Sequence, residues 1–178
     1  MDVIVGHSGA GAVLPLIARD VGAAVTVFVD AVVPDPTTTL TPSDGFAALL
    51  DHLPVVDGLL PPWHDWWPPE IMARLVPDEL LRAWVAAETP RLPRAFYDEP
   101  VALPEQWWQR PAAFLQLSAA YDEELARAQQ WGWPTRRLDG QHLDLLTRPG
   151  DVADALVRLT RTARRPRTPR GVRDSRPS

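Results

Sequence analysis

The stretch "VIVGHSGAG", residues 3–11, decides how the chain is read. Val3-Ile4-Val5 is a short run of β-branched residues, Gly6-His7-Ser8 is a turn built on small residues, and a second apolar segment follows. The order is strand, sharp turn, helix. A Gly-x-Ser-x-small pattern in that setting has the form of a nucleophile elbow, with Ser8 at its tip. The pattern alone arises by chance in roughly one chain in ten of this length, and its plain structural alternative is a serine N-cap. The strand before it and the helix after it supply the context the elbow needs. Gly6 and Ala10 are small, which lets strand and helix approach. The Gly9 N–H lies beside Ser8 at a helix N-terminus, a place that stabilises a developing oxyanion.

Working outward, "GAGAVLPLIARDVG" reads as a helix ending near Gly22, with Pro15 either kinking it or marking where a regular helix begins. "AAVTVFVDA" (23–31) reads as a second strand, which completes a βαβ unit whose strands are parallel. "VVPDPTTTLTPSDG" (32–45) is a loop by its composition. "FAALLDHL", "EIMARLV" and "DELLRAWVAAE" then have helical spacing and are separated by prolines, so the α/β rhythm is interrupted by a helical insertion. It holds Trp63, Trp66, Trp67 and Trp84, and Trp107 and Trp108 follow at its end. "AAFLQLS" (112–118) resumes as a strand, "YDEELARAQQWG" as a helix with acids in its first turn, and "PTRRLDG" (134–140) as a strand. "DVADALVRLT" places Val152, Ala155, Leu156 and Leu159 on one helical face. The expected organisation is an elbow unit at 1–43, a Trp-rich helical cap at 44–110, a second core segment at 111–160 and a disordered Arg/Pro tail at 161–178.

Composition narrows the chemistry. With 178 residues the chain fits one domain, and with no cysteine it has neither disulfides nor thiolate chemistry. The net charge of −5 divides unevenly, because residues 161–178 carry seven arginines and one acid while the rest is strongly acidic. An acidic body excludes nucleic acid as the main partner. Neither a leader pattern nor an apolar run of membrane-spanning length is visible, so no membrane partner is expected and the expected compartment is the cytoplasm. No metal-ligand spacing and no dinucleotide fingerprint is evident, and no cofactor is expected. The arginine tail reads as a solvated end.

A nucleophilic serine needs a base and an orienting acid. His142 lies in "RRLDGQH", in a loop after a strand, at the edge where parallel sheets place their sites. The other histidines, His7, His52 and His64, read as structural. For the acid, Asp122 lies just after the strand "AAFLQLS", and the chain order Ser8, Asp122, His142 follows the order of Ser, acid and His in hydrolases built on such an elbow. Glu123, Glu124 and Asp30, the last at the end of "VFVD", are the competing acids. The plain alternative for 122–124 is charge at a helix N-terminus. Tryptophans over the elbow fit either core packing or an apolar pocket, with Trp63, Trp66 and Trp67 as the candidate lining.

Taken together, "VIVGHSGAG", "VFVDA", "PPWHDWW", "LQLSAAYDEE", "GWP" and "DGQHLDLLTRP" resemble small bacterial α/β-hydrolases with a "GHSGAG" elbow, over residues 3–160. The resemblance implies an α/β fold with a mostly parallel sheet, helices on both faces and a helical cap insertion. It implies Ser8 as nucleophile, His142 as base, Asp122 as acid and the Gly9 N–H as an oxyanion donor. It also implies four strands ahead of the elbow that the chain does not carry, so an N-terminally truncated member is expected, with the elbow strand as an open edge through which a homodimer forms. The function expected is hydrolysis of a small apolar ester or related carboxylic derivative. The alternatives are a non-catalytic ligand-binding or interaction module on the same scaffold, or an inactive truncated product lacking the oxyanion loop.

Overall fold

The computed structural model describes residues 2–37 and 39–164. Strand β1 (Val3–Ser8) leads through a 3-10 turn, Gly9–Ala12, into helix α1 (Leu14–Asp20) and back to strand β2 (Val25–Ala31). The helix expected from residue 9 therefore divides, and Pro15 stands in the first turn of its regular part, where its missing N–H costs nothing. Strand β3 (Thr39–Leu40) opens the insertion, which contains α2 (Asp44–Asp51), α3 (Pro69–Leu75), α4 (Glu79–Glu88) and α5 (Ala95–Asp98), and β4 (Val101–Ala102) closes it. β3 and β4 pair antiparallel, tying together the entry and exit of the insertion. Ser43 and Asp78 cap α2 and α4 by accepting from the Phe46 and Leu81 N–H groups. Strand β5 (Ala112–Gln116), helix α6 (Asp122–Gln130), strand β6 (Thr135–Arg137), the short α7 (Asp144–Thr147) and α8 (Pro149–Ala163) complete the chain.

The main sheet has the order β1-β2-β5-β6 and is parallel throughout. Alternation assigns its faces. Phe28 and Phe114 point to the side covered by α1 and α6, where Leu14 and Ala128 meet them. Val25, Val27, Val29, Ala113 and Leu115 point to the other side, where α8 lays down Val152, Ala155 and Leu159 with Leu156 beside them. Val27, Phe28, Phe114 and Leu115 are wholly buried, each contributing about 1.5–3 kcal/mol of burial free energy. Strand β1 is at one edge of this sheet, and Val5 is half-exposed there.

Two sequence expectations change. Trp107, grouped with the insertion, belongs to the core, where it packs with Phe28 and Trp133, and Trp108 packs against that same cluster. The closing helix runs on to Ala163, which is buried against the sheet, so the first residues of the expected tail are ordered. The rest of that tail, 165–178, lies outside the described residues. Among the described residues no helix is long and apolar enough to cross a membrane.

Candidate active site

Ser8 closes β1 with φ 56° and ψ −131°, a backbone conformation that costs an ordinary L-residue about 1–3 kcal/mol. Packing fixes this turn. A Cβ on Gly6 would press on the Leu14 side chain at 2.8 Å, and one on Gly11 would sit 2.0 Å from the Val32 carbonyl oxygen. The close approach of elbow to sheet is thus made at Gly6 and Gly11. Ala10, expected to need its small size, is exposed.

The neighbouring strand carries a matching irregularity. His7 pairs with Val29 and Ser8 with Ala31, so Asp30 is an extra residue in β2, with φ 40°. Such a bulge re-aims a side chain at the end of a strand. Asp30 is wholly buried, and its carboxylate accepts four hydrogen bonds. Oδ1 accepts from the backbone N–H of Leu117 at 2.8 Å and of Ser118 at 2.9 Å. Oδ2 accepts from Ser118 Oγ at 2.7 Å and from His142 Nδ1 at 2.8 Å. Burial alone would raise the Asp30 pKa; the hydrogen bonds from His142, Ser118 and Leu117 outweigh it and hold the group below the usual carboxylate range.

His142 stands on the loop between β6 and α7. Buried Asp144 pins that loop by accepting from Gln141 N–H at 3.1 Å and from Thr147 Oγ1 at 2.8 Å. The approach is so close that a Cβ on Gly140 would lie 1.9 Å from Asp144 Oδ2. With Nδ1–H given to a carboxylate, the lone pair of His142 is on Nε2, and Nε2 lies 3.0 Å from Ser8 Oγ. Ser8, His142 and Asp30 therefore form one hydrogen-bonded line across the C-terminal ends of β1, β2 and the β6 loop. This arrangement can remove a proton from Ser8 and hold the imidazolium that results.

Asp122 is not part of the line. A 3-10 turn, Ala119–Tyr121, carries the chain past the strand end, and Asp122 opens α6 facing Gln116 Nε2 at 2.5 Å and Arg137 at 3.5 Å. It is exposed. Glu123 and Glu124 share the first turn of α6 with it, and burial raises the Glu124 pKa. The plain alternative, acids at a helix N-terminus, describes all three.

Aromatic groups surround His142, two of them unforeseen from sequence as site residues. The His7 ring stacks on it at 4.4 Å and donates its Nε2–H to the His142 carbonyl at 2.9 Å. Burial, and then the charge of His142, lower the His7 pKa to about 4, so His7 is neutral at pH 7. Tyr121 stacks on the same ring at 5.3 Å with only 15° between planes, and its hydroxyl is 3.4 Å from Ser8 Oγ. From the insertion, Trp63 comes within 6.1 Å of His142 and meets Trp67 edge-on. Trp66 turns away, donating to the Pro61 carbonyl and packing with Phe46 and Tyr97. Leu143, next to His142, anchors the insertion by packing with Met72, Leu75 and Val76.

A parallel sheet with helices on both faces, a serine at a sharp strand-to-helix turn and a helical insertion before the last two strands define the α/β-hydrolase fold. Among solved structures the chain is similar to a histidine-to-alanine variant of PytH, with 15% identity and a TM-score of 0.61 over 92% of this chain and 72% of that one. It is similar also to a serine-to-alanine variant of the pyrethroid hydrolase PytH, with 15% identity and a TM-score of 0.58 over 89% and 70% of the two chains. At that identity the likeness is one of fold. No family model and no curated protein sequence matches the chain.

Proposed function

We propose that this protein is a serine hydrolase acting on a small apolar ester or related carboxylic derivative, with Ser8 as nucleophile, His142 as general base and Asp30 as the orienting acid. The observation that supports it most is the unbroken line from Ser8 Oγ through His142 Nε2 and Nδ1 to the Asp30 carboxylate, at 3.0 and 2.8 Å. In acylation Ser8 Oγ attacks the carbonyl carbon and its proton passes to His142 Nε2. The leaving alcohol takes that proton as the C–O bond breaks, and water then reverses the sequence to release the acid. Asp30 holds the tautomer and stays ionised. The Gly9 N–H follows the nucleophile and faces the developing oxyanion, and a Cβ at Gly9 would meet nothing within 4 Å, which leaves room for substrate there.

Trp63 and Trp67 supply apolar contact beside His142, which fits an apolar acyl or alkyl group. The similarity to a protein described as a pyrethroid hydrolase agrees with that preference. A series of p-nitrophenyl esters of increasing acyl length tests the reading. Turnover should exceed background, rise from acetate to a longer acyl chain, and vanish in Ser8→Ala. Saturable binding of the same esters without turnover would instead favour a binding module.

A further inference from the structure

We propose that Tyr121 is a catalytic residue whose hydroxyl donates a hydrogen bond to the oxyanion formed at Ser8; the proposal rests on the hydrolase reading above. Its hydroxyl lies 3.4 Å from Ser8 Oγ. That is long for an O–H···O bond, whose ordinary length is about 2.7–2.8 Å. A long contact in the resting site has little to lose when substrate arrives and more to gain as charge develops, the condition for lowering a barrier.

The geometry admits the tightened bond. In a tetrahedral adduct the oxyanion is about 2.3 Å from Oγ, and a donor must come within about 2.7–3.1 Å of that oxygen. With Tyr121 OH 3.4 Å from Oγ, a separation of about 2.8 Å needs an angle of about 55° at Oγ, without any movement of the tyrosine.

The ring is held for this task. It stacks on His142 at 5.3 Å, nearly parallel, and packs against the core cluster of Phe28, Phe114 and Trp133. Burial raises its pKa to about 12, so the group remains a neutral donor wherever His142 works as a base. It keeps its proton throughout. Ser8 Oγ bonds to the carbonyl carbon, the carbonyl π pair becomes the oxyanion lone pair, and the Ser8 proton goes to His142. On collapse the pair returns, and the leaving oxygen takes the proton from His142. Tyr121 thus joins the Gly9 N–H as a second oxyanion donor, supplied by the segment after β5.

Tyr121→Phe tests the proposal because it removes the hydroxyl and keeps the ring on His142. The account expects kcat on p-nitrophenyl butyrate to fall by about 10–100-fold with KM within about twofold, uniformly from about pH 6 to 9, and fluorophosphonate labelling of Ser8 to slow in parallel. Thermal midpoint should stay close to that of the parent. If Tyr121→Phe keeps kcat within twofold while Tyr121→Ala loses it, the ring alone matters and the proposal is overturned. A rise in KM alone, meaning ground-state binding, overturns it too. A folded parent protein that neither turns over ester nor takes the label overturns the hydrolase reading as well, so the two failures are distinct.

Discussion

Replacing Asp30 by asparagine separates this account from the one expected from sequence. In the parent, Asp30 accepts from two backbone N–H groups, from Ser118 Oγ and from His142 Nδ1. An asparagine would keep its carbonyl oxygen on the N–H groups of Leu117 and Ser118, because its NH2 cannot face two donors. The NH2 then faces His142, and Nδ1 must accept. The proton moves to Nε2, opposite Ser8 Oγ, and the base is lost although the geometry is kept. A wrong tautomer of this kind lowers kcat by about 10⁴, or about 5 kcal/mol of barrier. The Asp122→Asn change touches only an exposed contact with Gln116 and Arg137 and should leave kcat within about threefold. Steady-state hydrolysis of a p-nitrophenyl ester reads both, with circular dichroism to establish that each variant is folded. An Asp30→Asn enzyme within tenfold of the parent, or an Asp122→Asn enzyme equally disabled, would refute the assignment.

Two further outcomes concern stability. The His7 pKa is about 4 in the folded protein against 6.5 in the unfolded chain, so the unfolded chain binds more protons between those values and stability falls as pH drops from about 6.5 towards 4. At pH 4.5 the loss is about 2.5 kcal/mol, and His7→Gln, which can still donate to the His142 carbonyl, should show that much less acid sensitivity in urea unfolding. Asp30 acts in a lower window, because its depressed pKa removes stability only as pH falls below its usual 3.8. Gly11→Ala should cost about 1–3 kcal/mol or more in the same assay, since its Cβ would meet backbone at 2.0 Å, whereas Gly150→Ala, with nothing within 4 Å, should be neutral or stabilising.

The order of the main-sheet strands and their flanking helices was legible because the buried strands are short and apolar with glycine or proline close by, and because the Val152–Leu159 stripe allows one helical face only, whereas the β3–β4 pair was not, since β3 lies in a stretch that reads as loop. The placement of Ser8 at a strand-to-helix turn and of His142 on a loop at the same sheet edge was legible from the sequence. That Asp30, and not Asp122, would meet His142 was not. It depends on a bulge at Asp30, and no local pattern in "VFVDA" announces that two residues of β1 will be matched by three of β2. One signal was present: a carboxylate near the end of a wholly buried strand must find a strong partner, and the strand next to it carries Ser8. Of the aromatic groups on His142, Trp63 was among the tryptophans expected over the elbow, whereas His7 and Tyr121 could not be read as site residues, because they come from separate segments that only the tertiary fold brings together.

The central claim is that Ser8 is an activated nucleophile, and intact-mass analysis with a fluorophosphonate probe measures this directly. The account predicts a single adduct on the folded protein, mapped to the peptide containing Ser8, absent in Ser8→Ala and formed far more slowly in His142→Ala and Asp30→Asn. A folded protein that stays unlabelled, or that takes the probe at another residue, would contradict it.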